Sequence, residues 1–241
     1  RSEKGYIPSI QPHILKKHYA THKYLENEAV FYHDCDFIFT KKFDFTPFLN
    51  DDNWYFSDTV AYIGAEYIKS KGDDVFERMC FLAGIDPEIV EKNQINSGGA
   101  QKLIKNVTHN YWNQVEIDAN KLYFGLGELK NKRKDGDPYG VQIWCASMWS
   151  ELWNAWKMNR NVLVIKEFDF AWATCPVAKL DNVSFFHNAG VPGKDQGMFY
   201  KGAYREDLPY FKNIKVDTTR CSRYYYDWVK RVENQTCLKK H

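Results

Sequence analysis

Apolar residues change period repeatedly along the chain. Ala29-Val30-Phe31-Tyr32 is a continuous run of strand type, and it leads into Asp34 and Asp36 with a second apolar run, Phe37-Ile38-Phe39, directly behind. The spacing therefore predicts a buried strand that ends in acid. Trp54-Tyr55-Phe56-Ser57-Asp58 reads as a short strand. Val162-Leu163-Val164-Ile165, β-branched and aliphatic throughout, reads as a strand buried on both faces and hence as part of a largely parallel sheet. Val183 to Phe186 is a further apolar strand, and it ends at His187. Helical spacing carries the rest. Ile10, Ile14, Leu15 and Tyr19 follow Ser9 as a candidate N-cap. Asp58-Thr59 opens a helix that runs to about Lys71 and closes at Gly72; another covers roughly Asp74 to Ala83, and Asp86-Pro87-Glu88 starts one more turn. Val141, Trp144, Cys145, Met148, Trp149, Leu152, Trp153 and Trp156 recur at three- and four-residue steps, and Tyr224 to Val229 sits on a C-terminal helix. Gln94 to Ile104 reads as an apolar lead-in, a small-residue loop and a helix-like run. Residues 40–52 and the charged stretch 127–140 read as loops. Neither a repeat nor a linker divides the chain, so residues 1–241 are expected to form a single domain.

Composition narrows the function classes. The formal net charge of +2 supplies no basic field that would argue for nucleic acid and no acidic tail. No apolar run reaches the roughly 18 residues of a membrane span, and none resembles the apolar core of a signal peptide. The default compartment is then the cytoplasm. Sequons at Asn106, Asn182 and Asn234 keep the secretory pathway open. The six cysteines show no C-x-x-C and no short metal spacing, which favours reduced, structural thiols. At 17% of the chain the aromatic content is high enough for stacking on sugar rings, although most of the tryptophans are expected in the core.

Candidate chemistry gathers at a few points. On an extended backbone Asp34 and Asp36 project the same way, and two carboxylates so close raise each other's pKa unless a cation lies between them. Hard oxygen ligands suit Mg²⁺ or Mn²⁺, which complete their shells with water and substrate phosphates. His187, at the end of an apolar strand, has Gly190, Gly193 and Lys194 close behind, and these could bring free amides and a cation to a phosphate. Asn96, Ser97, Gly98 and Gly99 combine flexible backbone with an amide and a hydroxyl able to bond to sugar hydroxyls. Glu151 and Ser147 lie off the apolar stripe of their helix.

Together these pieces resemble the metal-dependent glycosyltransferases of the GT-A fold. Asp34-Cys35-Asp36 resembles that family's D-x-D, whose carboxylates hold a divalent metal on the diphosphate of a nucleotide sugar. His187-Asn188-Ala189-Gly190 followed by Lys194 resembles the H-x-x-G…K element of glycogenin-like retaining enzymes, with one extra residue before the lysine. Asn96-Ser97-Gly98-Gly99 resembles the segment that contacts the donor sugar and lines the acceptor side. The resemblance covers roughly residues 6 to 210. It implies an α/β fold, GT-A-like and Rossmann-like, with a mostly parallel central sheet flanked by helices. Only 33 residues precede Asp34, so the family's N-terminal nucleotide-binding unit is expected to be truncated. The implied function is transfer of a sugar from a nucleotide-diphosphate donor, a UDP-sugar first, to a glycan or other hydroxyl acceptor. Mn²⁺ or Mg²⁺ would sit on Asp34, Asp36 and His187, and Gly190 and Lys194 would meet the diphosphate. If the reaction inverts the anomeric centre, Glu151 or Asp169 would have to act as base. Two other readings fit parts of the pattern. One is a phosphohydrolase of the haloacid-dehalogenase type with Asp34 as nucleophile; the other is a non-catalytic carbohydrate-binding module.

Overall fold

A computed structural model describes residues 6–132, 140–193 and 197–238, without the side chains of 129–132 and 236–238. The expected charged loop at 127–140 is helical as far as Lys132, and its remainder to 139 lies outside the described residues. Two compact units make up the chain. The first comprises residues 1–33 and 45–166; the second comprises 34–44 and 167–241.

The first unit is a sheet covered by helices. Its strands are β1 (Ala29–Tyr32), β3 (Trp54–Asp58), β4 (Gly98–Lys105) and β5 (Val162–Val164), in the order β1-β4-β3-β5. β4 runs antiparallel to both β1 and β3, and only β3 and β5 are parallel. The sheet is therefore mixed and largely antiparallel, not the mostly parallel sheet expected. β1 is a part-buried edge strand, which corrects the buried strand predicted ahead of the acids. A second correction concerns 98–105, read as loop and helix but forming the eight-residue central strand β4. Its glycines serve packing. A Cβ on Gly98 would lie 2.4 Å from Phe56 Cβ and 2.8 Å from the Ser57 carbonyl, beside the register shift between Phe56 and Ser57.

Helices α1 (Ile10–Thr21), α2 (Val60–Ile63), α3 (Ala65–Lys69), α4 (Asp73–Ala83), α5 (Pro87–Lys92), α6 (His109–Lys132) and α7 (Ala146–Lys157) complete this unit. Their limits follow local chemistry. Gly84 ends α4 in the left-handed conformation, and the Asp86 carboxylate caps α5 by accepting from the Glu88 amide at 3.0 Å. The helix expected from Asp58 to Lys71 is broken at Gly64 into α2 and α3. Trp54, Trp112, Trp149 and Trp153 are fully buried, as the core assignment of the tryptophans requires, whereas Trp144 is exposed.

The second unit carries β2 (Phe37–Phe39), β6 (Phe170–Trp172) and β7 (Phe185–His187) in the order β2-β7-β6, with β2 antiparallel and β6 parallel to β7. One face collects Phe37, Phe39 and Phe185, with the Phe43 ring tilted against Phe185 at 4.8 Å. The other face places Phe186 against Tyr224 and Tyr225 of α8 (Ser222–Leu238). Among the described residues no helix is long and apolar enough to cross a membrane.

Candidate metal centre

The register of the second sheet builds the site. Pairing β2 with β7 sets Phe37 opposite His187, and the ladder extends one step further, the Asn188 amide donating to the Asp36 carbonyl at 3.0 Å. The end of one strand is thus locked beside the start of the other. Asp34-Cys35-Asp36 is not extended, contrary to the alternation argument. It is a turn closed by the Phe37 amide on the Asp34 carbonyl at 3.3 Å, and the turn still directs both carboxylates to one place. His187 Nε2 lies 3.3 Å from Asp36 Oδ1 and 3.4 Å from Asp34 Oδ2. One ligand atom from each of the three residues falls within 4.8 Å of the other two, a spacing at which all three could coordinate one ion.

Burial and aromatic packing hold the imidazole in place. His187 and Asp36 are each 6% exposed, while the Asp34 side chain is about half exposed, so the group opens to solvent at Asp34. β6 lies parallel to β7 with Trp172 in register with His187, and the two rings stack at 5.8 Å and 18°. Phe170, on the same face, lies 6.1 Å from the imidazole. Burial alone would lower the His187 pKa, but the hydrogen bonds and charges of Asp34 and Asp36 outweigh it and hold the ring protonated to about 9. For Asp36, burial alone would raise the pKa; His187 and Lys201 reverse that and hold its carboxyl below the usual range. Asp36 Oδ2 is paired with Lys201 Nζ.

No family model, curated protein or solved structure matches the chain. Two carboxylates and one imidazole are a donor set for a divalent metal ion, and one further observation agrees. Among the described residues, buried His187 Nδ1 and both side-chain amide atoms of Asn188 have no hydrogen-bond partner. Asn188 is only 2% exposed, and unpaired buried amide groups are rare unless a ligand or water meets them.

The remaining predicted residues fall in different places. Gly190 belongs to the second unit and takes φ +83°, a conformation that favours glycine. Lys194 lies outside the described residues. Asp169 accepts from its neighbour's amide and pairs with Lys179 at 2.5 Å, its carboxylate close to half exposed. The other candidates lie in the first unit. Asn96 Oδ1 accepts from the Val164 amide at 3.2 Å, the Ser97 carbonyl accepts from Thr59 Oγ1, and Gly98 and Gly99 belong to β4. Glu151 is buried and ion-paired with Lys102, whose ammonium also lies 4.7 Å from the centre of the Tyr32 ring. Sequence reasoning missed Lys201, Trp172 as the partner that orients His187, and the unpaired amide of Asn188. Position after an apolar strand marks His187. Nothing in the pattern marks Lys201, because its tie to Asp36 spans 165 residues.

Proposed function

We propose that this chain is a metal-dependent glycosyltransferase acting on a nucleotide-diphosphate sugar. The observation that carries the reading is the convergence of Asp34, Asp36 and His187 at coordinating distance, which the register of β2 on β7 enforces. Asp36 and His187 would be the fixed ligands because both are buried and packed. Asp34, half exposed at the rim, would bind the same ion or the donor's ribose or sugar. A bound Mn²⁺ or Mg²⁺ would neutralise charge on the departing diphosphate. Asn188 would offer its unpaired amide to whatever ligand enters, and Trp172 keeps the imidazole from rotating away. Of the two acids considered for deprotonating an acceptor hydroxyl, Glu151 is committed to Lys102 inside the first unit; Asp169 keeps an accessible carboxylate.

The test is calorimetric titration of UDP with and without Mn²⁺, followed by a nucleotide-sugar hydrolysis screen. Binding of UDP and slow hydrolysis of a UDP-sugar should both require the metal, and Asp36→Ala should remove both while the far-UV circular dichroism is kept. UDP binding indifferent to Mn²⁺ would refute the proposal. Sugar binding without nucleotide would point to a carbohydrate-binding module, and a burst of phosphate from a phosphomonoester to a phosphohydrolase.

A further inference from the structure

The contact between Lys201 and Asp36 has a chemical consequence, and it rests on the metal-site reading above. Asp36 turns one carboxylate oxygen toward His187 and the other onto the Lys201 ammonium. A divalent ion on Asp36 would compete for the charge that Lys201 now neutralises, and two cations so close repel each other. The two ends of the contact differ in freedom. Asp36 is fixed in the turn before β2, whereas the Lys201 side chain is 51% exposed on a flexible four-carbon stem, at the first position of a 3-10 turn over Lys201–Tyr204. Lys201 is the partner able to move.

We infer that Lys201 is an internal counter-ion that competes with a divalent metal for Asp36 and, once displaced, holds the anion that arrives with that metal. A lysine released from a carboxylate stays within one side-chain length of the ion. A phosphate in the metal's outer positions would then offer the ammonium a negative charge within that reach. Metal and anion binding are thereby coupled through one side chain: the metal frees the ammonium, and the anion gives it a new partner. Linkage makes the coupling reciprocal, so the anion must tighten metal binding by the factor by which the metal tightens anion binding.

The experiment uses the full chain and two calorimetric titrations, one with Mn²⁺ alone and one with inorganic pyrophosphate at saturating Mn²⁺, a probe that needs no pocket for a nucleotide base. Lys201→Met removes the charge and keeps the stem. It should bind Mn²⁺ alone about three- to tenfold more tightly than wild type and pyrophosphate about tenfold more weakly, the scale expected of one partly solvated charge contact. Lys201→Arg keeps the charge and should behave like wild type in the first titration. A Lys201→Met protein that binds Mn²⁺ more weakly than wild type, or pyrophosphate equally well, overturns the inference. Failure of the underlying site has a different signature: wild type and Asp36→Asn would bind Mn²⁺ alike, which overturns both the metal centre and the role of Lys201.

Discussion

His187 sets the pH behaviour of the site. Its ring stays protonated to about 9 because two carboxylates face Nε2, and a metal can take Nε2 only after that proton leaves. Affinity for Mn²⁺ should therefore rise with pH, by up to about tenfold per unit below about pH 9, and close to one proton should be released per ion bound near pH 7. Calorimetry in two buffers of different ionisation enthalpy measures that release; zero protons would contradict the assignment of His187 as a ligand. Stability without metal runs the opposite way. The folded-state pKa is raised above the ordinary 6.5, so the stabilisation is complete below about 6.5 and is lost as pH rises through about 9. Urea denaturation with EDTA from about pH 6 to about pH 9.5 should show wild type losing stability over that window while His187→Asn loses less. Much of this was legible at the level of single residues. An apolar run ending in histidine, and two acids behind another such run, mark the candidate ligands without any contact information. Lys201 and Trp172 were not legible, because each acquires its meaning from a register that pairs distant segments.

At the scale of elements, strands whose apolar residues are continuous could be read, and the strand built on glycine could not. Trp54–Asp58 and Phe185–His187 appear where large side chains recur without interruption. β4 begins Gly98-Gly99-Ala100, small residues that resemble a ligand-binding loop, and its interior Lys102 looks like a surface position. Only the packing explains both. Gly98 admits the close approach of Phe56, and Lys102 is neutralised by Glu151 of α7. α6 shows the converse: Tyr111, Trp112, Val115, Ala119, Leu122 and Leu126 form a buried helical stripe, but Gly125 and Gly127 dilute the pattern. The two features of β4 give separable expectations. Gly98→Ala should cost about 1–3 kcal/mol in urea denaturation because backbone and a Cβ stand in the way; Gly99→Ala should cost less, since the atom it meets is the mobile end of Met148. Equal losses would contradict that distinction. Glu151→Ala strands a buried ammonium and should cost about 3–5 kcal/mol, whereas the double change Lys102→Met with Glu151→Leu should be close to neutral. If Glu151→Gln abolished sugar transfer with stability unchanged, the acid would be catalytic and the reading of it as a core ion pair would fail.

For the whole molecule, the decisive feature is that all three proposed ligands belong to one unit assembled from two stretches of chain. Residues 34–44 contribute Asp34, Asp36 and β2; residues 167–241 contribute β6, β7, His187 and Lys201. β7, the middle strand of that sheet, takes β2 from the first stretch on one side and β6 from the second on the other. A metal that ties Asp36 to His187 thus cross-links two segments far apart in sequence, and its binding energy appears as stability of the unit that holds them. At a free concentration 100 times its dissociation constant a ligand specific for the folded state adds about 2.7 kcal/mol. The single-domain expectation drawn from the absence of a linker would spread that effect evenly. Units that open independently would confine it to the one holding Asp36 and His187. Hydrogen exchange with and without Mn²⁺ should show added protection in Phe37–Phe39, Phe170–Trp172 and Phe185–Asn188, with the amides of α4, α6 and α7 unchanged, and Asp36→Asn should abolish the difference. Protection rising equally in α4 and α6 would mean that the ion stabilises the chain as one cooperative body, or that it binds elsewhere, and the Asp36→Asn control separates those two outcomes.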